Sequence, residues 1–233
     1  MARTIIYLIS ILGILSTADL SAQTSGTGNQ FGEKIRGTRF MPYPNYTGKP
    51  YLYDKFIFGE IELTNGTKIN NIGLSYSTYR DELIYYNIDI SAQIVIDKLS
   101  LKGFSLKEAN GKQRIFRRMQ SNSFSHEERY YELLCEGKTS LLTYRKVNLE
   151  PCDTYYSKSG LAYQPAYIYY LYSSEKGFSA LNPSRNSLLS KFNKANQKLV
   201  KKLLRKNGVF ITDESSFIKA WTLVAEKDIE TNF

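Results

Sequence analysis

The sequence predicts a mainly β protein with an α-helical C-terminus: an antiparallel β-meander, as a sandwich or an open barrel, followed by a helical hairpin. Three observations carry this. Short β-rich runs alternate with tight turns from Tyr51 to about Leu181. No helical periodicity separates them, which argues against βαβ units. Beyond Leu181 the apolar spacing changes to three or four and lysine accumulates.

The chain opens with Arg3 and an apolar run from Ile5 to Leu15, interrupted by Tyr7, Ser10 and Gly13. Leu20-Ser21-Ala22 follows. This order predicts a secretory signal peptide over residues 1–22, cut after Ala22 or, alternatively, after Ala18. At roughly 11 residues the run is shorter than the about 20 that cross a bilayer. No Cys follows it, so no lipid anchor is expected. No later segment has the length and apolarity of a membrane helix. Residues 23–50, rich in Gly, Ser, Thr, Asn and Pro, predict a flexible, extended lead-in.

Strands are then expected over 56–63, 69–76, 82–90, 94–99, 103–107, 113–119, 130–135, 140–147, 166–172 and 178–181. Asn65-Gly66 and Asn110-Gly111 are hairpin turns, because Gly supplies the left-handed conformation such turns need. Glu136-Gly137-Lys138 and Glu175-Lys176-Gly177 punctuate later pairs. From residue 182, Asn182 and Pro183 read as a helix start. Leu188, Phe192, Ala195, Leu199 and Leu203 form the expected apolar stripe, and Asn207-Gly208 the stop. Thr212-Asp213-Glu214 starts a second helix with Phe217, Ile218, Trp221 and Val224 inward. An outer-membrane barrel is disfavoured, because many strands carry charge on both faces and the chain closes with helices.

Three runs resemble a group of exported β-rich proteins of Bacteroidota: Gly48-Lys49-Pro50-Tyr51-Leu52, Phe58 to Gly66, and Tyr76-Ser77-Thr78-Tyr79-Arg80-Asp81-Glu82-Leu83. The resemblance covers about residues 48–107. It implies an envelope location and a β-rich fold, and it transfers no catalytic residue.

The 233-residue chain carries a formal charge of +9, which suits acidic partners such as anionic headgroups or acidic glycans. Export ranks nucleic acid out. The basic side of the first helix, with Lys194, Lys198, Lys201 and Arg205, is the first candidate binding surface. Nineteen tyrosines are the second resource, since each joins a flat ring to a hydrogen-bonding tip. Tyr76, Tyr79 and Tyr169 are the candidates for an outward stripe. Arg114 and Arg118 are the third, sharing a strand face with Phe116 and able to grip a phosphate or carboxylate.

Catalytic motifs are absent. There is one His and no CxxC, GxSxG, HExxH or phosphate-cradling Gly loop. His126-Glu127-Glu128 reads as a turn rather than a metal site. Asp81 and Glu82 diverge on a strand, which argues against paired acid–base work. Cys135 and Cys152 are either a disulfide, worth ~3 kcal/mol, or separate thiols. No cofactor or metal is expected. The reading is an exported, periplasmic or outer-membrane-associated binding or scaffold module that contacts another envelope protein, an anionic surface or a glycan. The rivals are a soluble glycan-binding protein with a Tyr-lined pocket and, third, an enzyme using Asp81, Glu82 or His126.

Overall fold

In the computed structural model the described residues are 35–121, 127–153, 155 and 159–232. The expected signal peptide and the start of the lead-in lie outside them. The first seven strands are β1 (Gly37–Arg39), β2 (Ile57–Leu63), β3 (Lys68–Ser77), β4 (Glu82–Asn87), β5 (Ala92–Ile96), β6 (Leu101–Lys107) and β7 (Gln113–Gln120). They continue with β8 (Glu128–Cys135), β9 (Ser140–Tyr144), β10 (Val147–Pro151), β11 (Leu161–Pro165), β12 (Ile168–Ser173) and β13 (Gly177–Leu181). Eleven of them make one antiparallel sheet, in the order β1-β5-β4-β3-β2-β6-β7-β8-β9-β12-β13. β10 and β11 form a separate hairpin. Both Asn-Gly sites are hairpin turns, with Gly66 and Gly111 at φ +85° and +84°.

The β5–β6 connection shows that the sheet is rolled. Ile96 to Leu101 is five Cα steps, at most roughly 18 Å of chain. In a flat sheet, four strand spacings separate β5 from β6, about 19 Å before any offset along the strands. The chain nevertheless makes the link through a short 3₁₀ turn, Lys98–Ser100, capped by Asp97. The first eight strands therefore curl around their own core. Ile61, Leu74, Tyr76, Leu83, Leu106, Phe116 and Tyr130 fill it. The rings of Tyr76 and Tyr130, from strands far apart in the sheet order, meet at 6.1 Å. This is the open-barrel alternative of the predicted meander.

Three helices close the chain: α1 (Arg185–Ser190), α2 (Lys194–Lys206) and α3 (Glu214–Glu226). They cover the continuation of the same sheet face. Leu141, Leu171 and Leu181 pack there with Leu188, Val200, Leu204, Phe217 and Trp221. The opposite face of β8, β9 and β12 carries a third cluster around Tyr131, Leu142 and Tyr144.

Five expectations need correction. The expected first helix is two, because Asn193 caps a new start by accepting from the Asn196 N–H. Ser184, rather than Asn182, caps α1. The break rotates the inward side of α2 to Val200 and Leu204, and leaves Leu199 55 % exposed. The lead-in is not loose over residues 35–50: β1 pairs with β5, the Phe40 N–H reaches Gln93 O at 2.8 Å, and Thr47 bridges to Ala162. The β10–β11 hairpin lies outside the expected strands: Val147 alone falls within one of them.

Candidate functional site

Helix α2 is the most one-sidedly charged element of the fold. Its sequence, KANQKLVKKLLRK, holds six cations and no acid. Lys194, Lys198, Lys201, Lys202, Arg205 and Lys206 are all exposed. Among the described residues none of them makes an ion pair, whereas acidic side chains elsewhere recruit Lys49, Lys68, Lys98 and Lys102. Exposed Leu199 stands among the lysines, and Phe210, 75 % exposed, follows the helix. Arg205 and Lys206 complement the helix C-terminal dipole, whereas Lys194 stands unfavourably at the positive N-terminus.

The predicted arginine grip is spent internally. Arg114 and Arg118 do share the Phe116 face, but that face is the core. Arg114 makes a fork to Glu132, with Nε–Oε1 at 2.6 Å and Nη2–Oε2 at 2.7 Å. Arg118 pairs with Glu128. Glu132 also accepts from Arg145 Nε at 2.6 Å, and Arg145 reaches Glu214 at 2.7 Å. Glu132 and Arg145 are both buried. Burial alone would lower the Arg145 pKa, but the Glu132 and Glu214 carboxylates reverse that and raise it. This buried chain joins the core of the rolled sheet to the first residue of α3. Reading from sequence missed Glu132 and Arg145. The available signal was a lone carboxylate inside Tyr130-Tyr131-Glu132-Leu133-Leu134, which must find a partner if buried.

Two of the three candidate tyrosines belong to the interior. Tyr76, 1 % exposed, donates to Asp81 Oδ1 at 2.6 Å. Tyr169 donates to Glu214 Oε1 at 3.1 Å, and burial next to that carboxylate pushes its phenol up to about 12. Only Tyr79 is half-exposed. It belongs to a connected set of rings: Tyr43 to Tyr51 at 5.5 Å, Tyr43 to Tyr79 at 5.7 Å, Tyr79 to Tyr163 at 5.1 Å and Tyr46 to Tyr163 at 5.7 Å.

Asp81 holds the roll shut. It sits at φ +57°, a conformation that Asp tolerates better than most residues. Its carboxylate accepts from Tyr76, from Lys98 Nζ at 2.8 Å, and from the Tyr130 N–H of β8 at 3.3 Å. Burial raises its pKa, against the lowering effect of Lys98, Tyr76 and the Tyr130 N–H. The folded protein thus holds this proton more tightly than the unfolded chain, where Asp titrates near 3.9. The stability contributed by Asp81 therefore declines as pH rises from about 4 through the folded pKa. Relative to the native chain, Asp81→Asn should gain stability across that window. Urea unfolding at a series of pH values measures this, and a relative loss as pH rises would contradict it.

Glu82 points elsewhere and accepts from the Tyr43 hydroxyl at 2.8 Å, so the two carboxylates do diverge. His126 lies outside the described residues. Cys135 and Cys152 are free thiols. Among the described residues no group of three or more His, Cys, Asp or Glu is placed to hold a metal ion. Among the described residues no helix is long and apolar enough to cross a membrane. No family model, curated protein or solved structure matches the chain.

Proposed function

We propose that this chain is an exported binding module of the cell envelope, without catalytic activity, that docks on an anionic envelope surface through α2. The observation that carries this is the set of six exposed cations, none in an ion pair among the described residues, on one short helix that has no acid of its own. Apart from Arg205 and Lys206 at the helix C-terminus, the folded protein gains nothing internally from such a set, since like charges on neighbouring turns repel. Phosphate-bearing headgroups would neutralise it, and exposed Leu199 on the same helix adds apolar contact. The rolled sheet is the scaffold that presents the helix. The signal-like N-terminus and the resemblance to exported proteins support the envelope location.

The test is co-sedimentation of the purified protein with vesicles that contain or lack an anionic phospholipid. Binding should require the anionic lipid and weaken steeply with salt. Each basic residue near such a surface is worth ~1 kcal/mol, so reversing three lysines removes at least ~3 kcal/mol, or about 100-fold. The variant Lys194→Glu/Lys198→Glu/Lys201→Glu should therefore lose vesicle binding, while its melting temperature stays close to the native value. Equal binding to neutral vesicles, or retention by the triple variant, would refute the docking.

A further inference from the structure

At one rim of the rolled sheet, Arg36, Gly37, Thr38, Arg80, Glu82 and Lys98 help line an open cavity of about 540 Å³. Its lining carries three cations, Arg36, Arg80 and Lys98, and two acids, Glu82 and Asp97. Glu82 is engaged by the Tyr43 hydroxyl, Asp97 caps the 3₁₀ turn and Lys98 is paired with Asp81. Arg36 and Arg80 are exposed, and neither guanidinium has a carboxylate partner among the described residues. Arg80 instead lies 5.1 Å over the Tyr43 ring. It therefore belongs both to the cavity and to the connected Tyr43, Tyr51, Tyr79, Tyr163 and Tyr46 rings. Among these rings, the hydroxyls of Tyr46, Tyr51 and Tyr79 make no hydrogen bond within the described residues, and all three rings are half-buried.

We infer that this rim binds a carboxylate-bearing glycan. The planar guanidinium fork matches a carboxylate with two parallel hydrogen bonds, a match that a solvated lysine does not offer. Half-exposed phenol rings offer flat apolar surface to the C–H face of a sugar, with hydroxyls at their edges for its polar rim. The cavity volume falls within the range of small-ligand sites. Arg80 over the ring shelf, with Arg36 lining the same cavity, thus fits a uronate oligosaccharide better than a neutral sugar or a simple anion. The site is separate from α2 and does not rest on vesicle docking.

The experiment is calorimetric titration of the purified protein with trigalacturonate, maltotriose and inorganic phosphate. Saturable binding of trigalacturonate is expected, with maltotriose and phosphate much weaker. Arg36→Gln and Arg80→Gln should each weaken it by about tenfold, with circular dichroism unchanged because both side chains are exposed. The α2 triple variant should bind trigalacturonate like the native protein. Absence of binding, unchanged affinity in both arginine variants, phosphate binding as tight as trigalacturonate, or loss in the α2 variant would each overturn the inference.

Discussion

Replacing Glu132 with Gln is expected to remove about 3–5 kcal/mol of stability, the usual cost of breaking a buried ion pair from one side. Glu132 is the central anion between Arg114 and Arg145. Gln keeps the shape but not the charge, so buried Arg145 and partly buried Arg114 lose their shared counter-ion. Glu108, 3.9 Å from Arg114, and Glu214 remain as partial partners. Urea unfolding reads the loss as a shift in midpoint. The double variant Glu132→Leu/Arg145→Met, which removes one charge of each sign, should recover part of it, since apolar replacement of a whole buried pair is often close to neutral. A loss below about 1 kcal/mol would mean that the pair behaves like an exposed one.

The second large effect is expected at Trp221, where truncation to Ala should cost about 3–5 kcal/mol. Trp221 is 1 % exposed and sits among Phe192, Phe217, Val224 and the sheet residues of the helical cap. Its ring lies 6.4 Å from that of Phe192. Removing it opens a void between helix and sheet that neighbours on three elements cannot all move to fill. Trp221→Phe should cost less, because the residual void is smaller. Unfolding followed by circular dichroism measures both, and equal costs would show that the site collapses freely. Trp221 is also the one tryptophan of the chain, so its fluorescence reports on the cap in the native protein and in the Glu132 variants. The Arg145–Glu214 contact ties that cap to the core of the rolled sheet, so fluorescence and circular dichroism transitions should coincide in the native chain and separate in Glu132→Gln.

The strands were legible because their signals are local. Ile72, Leu74 and Tyr76 alternate with polar or small neighbours, and Asn65-Gly66 marks a turn without reference to any other part of the chain. Helix α3 was legible for the same reason: Asp213 and Ser216 form its capping box within four residues. The break before α2 carried an equally local signal in Asn193, but it competed with an apolar spacing that ran on through Ala195 and Leu199. That spacing placed Leu199 inside, and the burial of Val200 and Leu204 in the helical cap turned it outward.

The candidate sites divide in the same way. The basic helix could be read directly, because exposure of lysine needs no partner to explain it. The roles of Arg114, Tyr76 and Tyr169 could not, because each depends on a carboxylate distant in sequence or across a turn: Glu132, Asp81 and Glu214. Strand alternation correctly put Arg114 and Arg118 on the Phe116 face, yet not whether that face looked outward or inward.

By itself, then, the sequence determined the fold class, most strand positions, the helical C-terminus and the excess of positive charge. Each follows from propensity, periodicity or composition over a few residues. The tertiary structure alone decided that the sheet rolls, that Asp81 clasps β8, that Arg114 is spent on Glu132 while Arg36 and Arg80 find no carboxylate among the described residues, and that α2 shows Leu199 to solvent. These depend on strand order and on contacts between segments distant in the chain, as Asp81 and Tyr130 are, where burial decides whether a charge needs a partner inside the protein or is left facing water.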